Sequence, residues 1–417
     1  MIRSSLRNSL FLLPCLILTG CAFIGFKQQL KPLTDAVYLS GKVSGDSSDF
    51  KPTAVVICRE DDGKKKLVQY KWLQKPGGFT FFLQPGTYYV GVFEDSNGNF
   101  KYDSGEPSSV LKNPDQIILA PRQNASDLNL TISRGKSDDL GEDHDLSLRV
   151  SDAGMTALQK RIGRVVSLDD PMFDDANGDL GLWKYDDFKK KGYGGLYFLE
   201  PYDPKKTPVL FIHGYVGTPR DFKYLVEHMD REKFQPWFVY YPSAMKIDVT
   251  ANYVNFAVTH LKLTYSFKRM DVVGYSMGGL VSRAFILKNA PEQPENFIRS
   301  FTSIATPWNG HSLADFRNLA PAQAPSWEDL ATGSPFTLSL FSRPFPPETK
   351  YYLFFGYKGD RNPFAKNNDA YVTLESALDP RAQSDAVKLY GFNEDHESIV
   401  DSKEVSDTLN KILAASV

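Results

Sequence analysis

The stretch "DVVGYSMGGLVSRA", residues 271–284, places a serine between glycines where an apolar run would otherwise continue. "DVV" predicts a buried strand, and the residues after the serine give a helix with one apolar face: Leu280, Val281, Ala284, Phe285 and Leu287. "GYSMG" matches G-x-S-x-G, a pattern in which the serine stands on a sharp turn from strand to helix. Glycines two residues either side of Ser276 permit this backbone, and Gly279 allows the helix to pack closely on the sheet. Because the first helix amides point toward any charge that develops beside the hydroxyl, Ser276 is a candidate nucleophile.

The length and charge of the whole chain limit what it can be. At 417 residues it is long enough for two domains that each bury an apolar core. Its 48 Lys and Arg residues nearly balance its 50 Asp and Glu residues, so the net charge of −2 gives no basic footprint for nucleic acid. The three cysteines, at positions 15, 21 and 58, form no CxxC pattern or Cys/His cluster, which predicts neither a disulfide framework nor a metal site.

The first twenty residues, "MIRSSLRNSLFLLPCLILTG", combine a basic start with a short apolar stretch, which predicts an export signal. The ending "LTGC" resembles the lipobox of bacterial lipoproteins, in which cleavage precedes the cysteine and the thiol is then lipidated. This resemblance implies a signal peptide at 1–20, palmitate-type acylation of Cys21 and a lipidated tether at 21–35. The sorting rules of such lipoproteins disfavour Asp directly after the cysteine for outer-membrane delivery, so Ala22 implies the outer membrane if the cell is Gram-negative.

Residues 36–133 contain short apolar stretches separated by Gly, Pro and Asp clusters, a spacing that predicts a small all-β sandwich. The expected strands are "TAVVIC", "LVQYKWL", "FTFFL", "YYVGVF", "IILA" and "DLNLTI". The stretch "FTFFLQPGTYYVGVFEDSNGN" resembles the carboxypeptidase-regulatory or transthyretin-like modules of secreted proteins, which implies a spacer or a binding platform.

Within this region, "DSNGNFKYDSGE" has the spacing of a calcium loop. Oxygen-bearing side chains occupy positions 1, 3, 5, 9 and 12 of the pattern: Asp95, Asn97, Asn99, Asp103 and Glu106. Position six, where the loop needs glycine for its turn, is Phe100. A solvated turn between strands would satisfy the same residues, and we favour that interpretation over a metal site.

Residues 134–148, "SRGKSDDLGEDHDLS", are charged and poor in apolar side chains, which predicts a linker. From 149 to 417, strand and helix patterns alternate, which predicts a doubly wound, mostly parallel α/β sheet with helices on both faces. The expected strands are "VLFIHG", "PWFVYYP", "MDVVGYS", "FTSIAT", "KYYLFFGY" and "AVKLYGF".

A serine hydroxyl needs a base to take its proton, and in such folds the chain order is serine, acid, histidine. Four of the six histidines precede the serine: His144, His213, His228 and His260. Between Ser276 and His311 the acids are Glu292 and Glu295, in a turn-like segment typical of solvated surface charges. His396 follows an expected strand and precedes the last helix, so it is the candidate base.

Two aspartates compete for the role of the acid in the loop after "KYYLFFGY". Asp360 lies in "YKGDRNPF", where the alternative role beside Gly359 is to form a turn. Asp369 lies in "NNDAYVTLES". Position alone does not choose between them.

With these residues in place, the region 195–417 resembles the α/β-hydrolase superfamily, specifically the bacterial lipase-like and inositol-deacylase-like serine esterases. Those relatives often carry the acid in an "N/S-D-G-x-V" segment ahead of a serine, which favours Asp369, although Ala370 replaces the usual glycine. The resemblance also implies an oxyanion hole made by the backbone N–H groups of Tyr215, in "HGYVG", and of Met277.

The same resemblance bears on three further segments. In the matched "HGYVG", the place of His213 ahead of the serine and its pairing with Gly214 predict that His213 bonds its own loop and is not a proton carrier. The stretch "SIATPWNG", residues 303–310, matches a "TP-x-x-G" of the relatives that shapes the pocket wall. The segment from Phe316 to Pro347 lies where many relatives insert a cap, with a surface excursion as the alternative.

The sequence thus predicts a membrane-anchored, extracytoplasmic serine hydrolase that cleaves an acyl or lipid ester through an acyl-enzyme. Ser276 would attack, His396 would carry the proton and Asp369 would orient the imidazole. This chemistry needs no metal or organic cofactor, and the expected partners are an ester or lipid substrate and the membrane. An acyltransferase or thioesterase would use the same triad. The alternative from another class is a non-catalytic surface lipoprotein that keeps a hydrolase fold as a binding scaffold.

Overall fold

The structure is a computed structural model that describes residues 20–46, 50–141, 144–146, 161–359 and 367–415. Of the predicted signal peptide, Gly20 alone falls within these ranges. The described chain has a β-rich N-terminal part, followed by a C-terminal part built on one large sheet.

The N-terminal part is β-rich, as its sequence predicts. Its strands are β1 (Val37–Ser44), β2 (Thr53–Asp61), β3 (Lys64–Leu73), β4 (Gly77–Leu83), β5 (Gly86–Glu94), β6 (Ser108–Val110), β7 (Ile117–Leu119) and β8 (Ala125–Thr131). One sheet has the order β4-β1-β8, and the other has the order β3-β2-β5-β6 with β7 also paired to β5. Alternate side chains of each strand point to one face of a sheet. Val37 and Leu39 of β1 therefore meet Val55 and Ile57 of β2 in one apolar cluster that both sheets share.

The turn at residues 95–106, between β5 and β6, is bonded mainly to itself. The Asp95 carboxylate accepts three backbone N–H bonds from within the turn, at 2.8, 3.1 and 3.0 Å. The Glu106 carboxylate accepts two, from Ser96 at 2.8 Å and from Asp103 at 3.1 Å. Phe100, where a calcium loop needs glycine, adopts the left-handed conformation with φ of 62°. Among the described residues, no group of three or more His, Cys, Asp or Glu side chains is placed to hold a metal ion.

The described parts of the predicted linker, residues 134–141 and 144–146, lie along the β-rich part. Leu140 and Leu146 are buried in a second apolar cluster of that part. The backbone N–H of Leu146 donates to the carbonyl of Phe100 at 2.7 Å. These residues therefore belong to the packed body of the molecule.

The C-terminal part is built on an eight-stranded sheet. Its strands are β9 (Ile162–Val165), β10 (Gly195–Phe198), β11 (Thr207–Ile212), β12 (Phe234–Tyr240), β13 (Met270–Tyr275), β14 (Ile298–Ile304), β15 (Lys350–Gly356) and β16 (Lys388–Phe392). The order is β16-β15-β14-β13-β11-β12-β10-β9. Every neighbouring pair from β11 to β16 is parallel, whereas β10 runs antiparallel to β12. The predicted mostly parallel sheet is confirmed.

Helices cover both faces of this sheet. The helices are α1 (Gly20–Thr34), α2 (Asp175–Trp183), α3 (Tyr185–Lys190), α4 (Lys223–Glu227), α5 (Ile247–Tyr265), α6 (Met277–Asn289), α7 (Ser312–Asp315), α8 (Pro325–Leu330), α9 (Pro335–Ser339), α10 (Leu374–Ala377), α11 (Pro380–Asp385) and α12 (Lys403–Ala414). Leu210 and Ile212 of β11 pack in a cluster with α5 and α6, and Val209 and Phe211 pack in another with α4 and α12. Because a strand with two covered faces is apolar at successive positions, β11 and its neighbours are continuous hydrophobic runs.

Helix α1 includes most of the segment predicted as a lipidated tether, residues 21–35. One face of the helix is buried: Phe26, Leu30 and Leu33 pack in a cluster with Leu182 of α2. None of the described helices combines the length and the apolar composition that a membrane-spanning segment requires. Through its buried face, helix α1 packs against the C-terminal part.

Candidate active site

Ser276 stands on the turn between β13 and α6, with φ of 53° and ψ of −125°. A residue with a side chain rarely adopts a positive φ, so the surrounding contacts must hold it there. The backbone N–H of Ser276 donates to the carbonyl of Ile304 at 2.8 Å. A Cβ atom at Gly278 would overlap the carbonyl oxygen of Ile212, which explains why glycine is required there.

Gly279 lets α6 pack closely on the sheet, as its sequence predicts. A Cβ atom at Gly274 of β13 would come within 2.7 Å of the Gly279 Cα, so this turn of the helix lies directly against the strand. A Cβ atom at Gly279 would also overlap the side-chain hydroxyl of Thr306, in the loop after β14. The "TP" of that loop therefore packs directly on the first turn of α6.

The structure brings Ser276, His396 and Asp369 together at one edge of the sheet. The distance from His396 Nε2 to Ser276 Oγ is 2.9 Å, and that from His396 Nδ1 to Asp369 Oδ2 is 2.8 Å. The three residues follow β13, β16 and β15, and the carboxyl ends of parallel strands lie at the same edge. All three side chains are buried: Ser276 and His396 are 8% exposed and Asp369 is 1% exposed.

Further hydrogen bonds fix the acid and the imidazole. Asp369 Oδ1 accepts the backbone N–H groups of Tyr371 and Val372, at 3.1 and 2.7 Å, which leaves Oδ2 for the imidazole. The backbone N–H of His396 donates to the carbonyl of Asp369 at 2.7 Å, and the Tyr275 hydroxyl donates to the His396 carbonyl at 2.6 Å. A carboxylate on Nδ1 favours the tautomer with its proton there, so Nε2 can accept the serine proton.

Two described residues of the loop that carries Asp369 have a positive φ, Asn367 and Ala370. Ala370, which replaces the glycine of the resembled motif, has φ of 84°, a conformation that favours glycine. Its backbone N–H donates to the side chain of Asn368 at 2.7 Å. The competing candidate, Asp360, lies outside the described residues.

The two predicted oxyanion donors lie beside Ser276. Met277 is the first residue of α6, where backbone N–H groups have no partner within the helix. A Cβ atom at Gly214 would come within 2.9 Å of the Cβ of Ser276, so the loop that carries Tyr215 passes close against the serine. Tyr215 and Met277 both line the cavity that contains Ser276 and His396.

His213 bonds its own loop, as predicted. Nδ1 lies 2.8 Å from the Gly214 carbonyl, to which it donates, and Nε2 accepts the backbone N–H of Tyr241 at 3.2 Å. Complete burial lowers the pKa of His213 to about 4. The imidazole is therefore neutral, and both of its nitrogens are hydrogen-bonded. These two bonds hold the end of β11 against the end of β12 beside the loop that carries Tyr215.

The cavity at Ser276 has a volume of about 420 Å³. Its walls are mostly apolar: Leu182, Trp183, Val216, Leu313, Phe316, Leu319, Ala320, Trp327, Leu330 and Val372. Several of these residues come from the segment between β14 and β15, where the sequence suggested a cap. A larger cleft of about 870 Å³, between the β-rich part and the sheet, contains none of the three clustered residues.

Sequence reasoning missed some residues of this cavity. His311, which the chain order set aside as a base, lines the cavity, and its Nδ1 accepts the N–H of Leu313 at 3.2 Å. Burial, together with the nearby His396, lowers the pKa of His311. Trp183 and Trp327 also line the cavity. Trp327 lies in the segment expected as a cap, but no motif marks either residue individually.

The strand order, the strained turn at Ser276 and the chain order of the clustered residues define an α/β-hydrolase fold. Residues 238–413, less than half of the chain, match the family described as "Alpha/beta hydrolase of unknown function (DUF915)". The match includes the turn at Ser276 and extends past His396. No curated protein matched the chain.

Several solved structures are similar to about half of the chain. The mature lipase BlEst2 of Bacillus licheniformis is 22% identical, with a TM-score of 0.43, over 52% of this chain and 97% of that one. The lin2722 product of Listeria innocua is 17% identical, with a TM-score of 0.39, over 50% and 94%. A putative cell surface hydrolase of Lactobacillus plantarum WCFS1 is 16% identical, with a TM-score of 0.36, over 51% and 93%. None of these similarities assigns a substrate to this chain.

Proposed function

We propose that the protein is a serine hydrolase that cleaves carboxylic esters through an acyl-enzyme. The observation that carries this proposal is the pair of hydrogen bonds of His396, to Ser276 at 2.9 Å and to Asp369 at 2.8 Å. A nucleophile within reach of a base that a third group orients is the signature of an activated hydroxyl.

In the proposed reaction, His396 Nε2 takes the hydroxyl proton as Ser276 Oγ forms a bond to the ester carbonyl carbon. The negative charge moves to the carbonyl oxygen, where the backbone N–H groups of Tyr215 and Met277 stabilise it. The bond to the alcohol oxygen then breaks, and His396 gives the proton to the leaving alcohol. Water repeats the sequence on the acyl-enzyme and releases the acid, while Asp369 stabilises the imidazolium in both halves.

The apolar walls of the cavity suit the acyl part of the substrate. Their side chains can bury methylene groups, and each buried methylene is worth about 0.8 kcal/mol. An acyl or lipid ester therefore fits this proposal better than a small polar ester. A thioesterase or an acyltransferase would need only a different leaving group or acceptor at the same three residues.

We also propose that lipid on Cys21 anchors the protein outside the cytoplasm, in the outer membrane of a bacterial envelope. The support is the basic start and the "LTGC" at 18–21. In this proposal the β-rich part is a transthyretin-like module that serves as a spacer or binding platform. Globomycin treatment of expressing cells, followed by mass measurement of the N-terminal peptide, tests the anchor. An N-terminal peptide whose mass shows no acyl group on Cys21, with or without globomycin, would contradict the proposed anchor.

Fluorophosphonate labelling tests the hydrolase against the rival, a non-catalytic scaffold. We expect the full chain in detergent to form an adduct and to hydrolyse p-nitrophenyl butyrate. Ser276→Ala should lose the adduct and at least about 10⁴-fold of kcat/KM. Ser342→Ala, which alters an exposed serine outside the cavity, should match the wild type. Failure of the wild type to form any adduct favours the scaffold.

A further inference from the structure

Helix α1 touches the wall of the candidate active site through one aromatic side chain. The ring of Phe26 lies 5.1 Å from that of Trp183 and 6.2 Å from that of Trp327, measured between centroids. Phe26 itself is 6% exposed and does not line the cavity. It therefore packs behind the two tryptophans, which do line it.

The two indoles are also tied to each other and to the loop beside the nucleophile. Their ring centroids are 6.1 Å apart in an edge-to-face arrangement. The indole N–H of Trp327 donates to the Tyr215 hydroxyl at 2.5 Å. Tyr215 is the residue whose backbone N–H is the proposed oxyanion donor. The contact from Phe26 thus reaches the reacting centre through a continuous set of side chains.

Polar contacts fix α1 in this position. The side-chain carbonyl of Gln29 accepts the backbone N–H groups of Asp186 and Asp187, at 3.0 and 3.2 Å, and so caps the start of α3. The side-chain amide of Gln84, in the β-rich part, donates to the carbonyl of Pro32 at 2.8 Å. Helix α1 therefore lies between the two parts of the molecule with a defined orientation.

We propose that Phe26 is a positioning residue that sets the acyl-chain selectivity of the cavity by holding Trp183 and Trp327 in place. This inference rests on the proposed hydrolase function and names a determinant of its substrate. An acetyl group ends one carbon beyond the carbonyl, so it gains little from a distant wall. A long acyl chain gains about fourfold in binding for each methylene that the wall buries. Loss of Phe26 leaves a void behind the indoles, which lets them move away from the chain.

The test compares soluble esters of two chain lengths on the full chain in detergent. We expect Phe26→Ala to lower the ratio of kcat/KM for p-nitrophenyl octanoate to that for p-nitrophenyl acetate by about tenfold, the worth of one to two methylenes. The loss should fall mainly on KM for octanoate. Phe26→Leu, which keeps an apolar side chain behind the indoles, should recover most of the ratio.

Leu33→Ala is the matched control. Leu33 lies two turns further along α1 in the same buried cluster, and its loss should change the ratio less than about twofold because the ring contacts of Phe26 with both tryptophans remain. Thermal midpoints of all three variants show whether each one folds. If Phe26→Ala does not fold, the ester ratio of Phe26→Leu is used for the test.

Three results would overturn the inference. Equal losses on both esters in the Phe26 variants would mean a general structural role. An unchanged ratio would mean that the wall does not depend on Phe26. No turnover of either ester by the wild type would reject the proposed function itself, and this outcome is distinct because it precedes any comparison of variants.

Discussion

In the turn at 95–106 of the β-rich part, carboxylates accept hydrogen bonds from the backbone of their own turn. At the carboxyl edge of the large sheet, Asp369 does the same with one oxygen but directs the other to an imidazole from a separate loop. The first arrangement stabilises a turn and leaves no side chain poised for reaction. The second uses the turn to aim a charge at His396. The two parts thus differ in what the second carboxylate oxygen binds. In the β-rich part it bonds the turn itself, whereas in Asp369 it faces the imidazole of His396.

The base should give the largest effect. His396→Ala removes the group that takes the serine proton, so we expect kcat/KM on p-nitrophenyl butyrate to fall by about 10⁴-fold or more. The fold should remain intact because the β-rich part and the sheet do not depend on this side chain. His228→Ala, at an exposed histidine, should keep full activity. Near-normal turnover by His396→Ala would show that His396 is not the base, and the arrangement at the sheet edge would then differ from the turn at 95–106 in structure alone.

The acid should give the next largest effect. Asp369→Asn keeps the shape of the loop but loses the charge that orients the imidazole, and we expect kcat/KM to fall by about 10³- to 10⁴-fold. Asp360→Asn serves as the paired variant and should change kcat/KM less than about threefold. Steady-state kinetics of both variants show which aspartate serves as the acid. A larger loss in the Asp360 variant would transfer the role of the acid to that residue.

Much of the fold and part of the site could be predicted because their signals are local. Alternation of apolar runs with helical patterns predicts the parallel sheet, and G-x-S-x-G between a strand and a helix marks the turn at Ser276. Chain order leaves His311 and His396, and the solvated setting of the acids before His311 selects His396. Each of these inferences uses residues that are neighbours in sequence or an order along the chain.

The rest of the site depends on contacts between segments without periodic patterns. Position could not choose between Asp360 and Asp369, because both follow β15 in the chain and neither lies in a periodic pattern. The packing of Phe26 behind Trp183 and Trp327 joins three segments that are far apart in the chain. No local rule links them, so α1 could be predicted as a tether but not as a support for the cavity wall.

A third prediction concerns the contact between the two parts. His260 of α5 is fully buried, its Nδ1 lies 2.9 Å from the Tyr70 hydroxyl of β3, and burial lowers its pKa to about 3. The folded protein then binds fewer protons than the unfolded chain, so stability is complete above the ordinary histidine pKa of about 6.5 and is lost as the pH falls toward 3. We expect His260 alone to cost about 3 kcal/mol of unfolding free energy between pH 7 and pH 4.

Denaturant unfolding of the wild type and of His260→Asn over this pH range measures the contribution. Asparagine retains an acceptor for Tyr70 but does not titrate, so the variant should be less sensitive to acid, although less stable at pH 7. His213 titrates equally in both proteins and cancels in the comparison. Parallel pH curves for the two proteins would show that His260 does not sense acid at this contact.

The smallest effect tests whether the turn in the β-rich part is purely structural. Asp95 is 3% exposed and accepts backbone N–H groups from within its turn, so Asp95→Ala should lower the unfolding free energy by about 1–3 kcal/mol. Ester hydrolysis should change less than about twofold, because no atom of this turn lines the cavity at Ser276. Asp115→Ala, at an exposed aspartate, should have almost no effect on stability.

Thermal unfolding with and without millimolar calcium completes the test. If calcium raises the midpoint of the wild type but not of Asp95→Ala, the oxygens of this turn also serve a ligand, and the two parts differ in the kind of ligand they bind and not in whether they bind one.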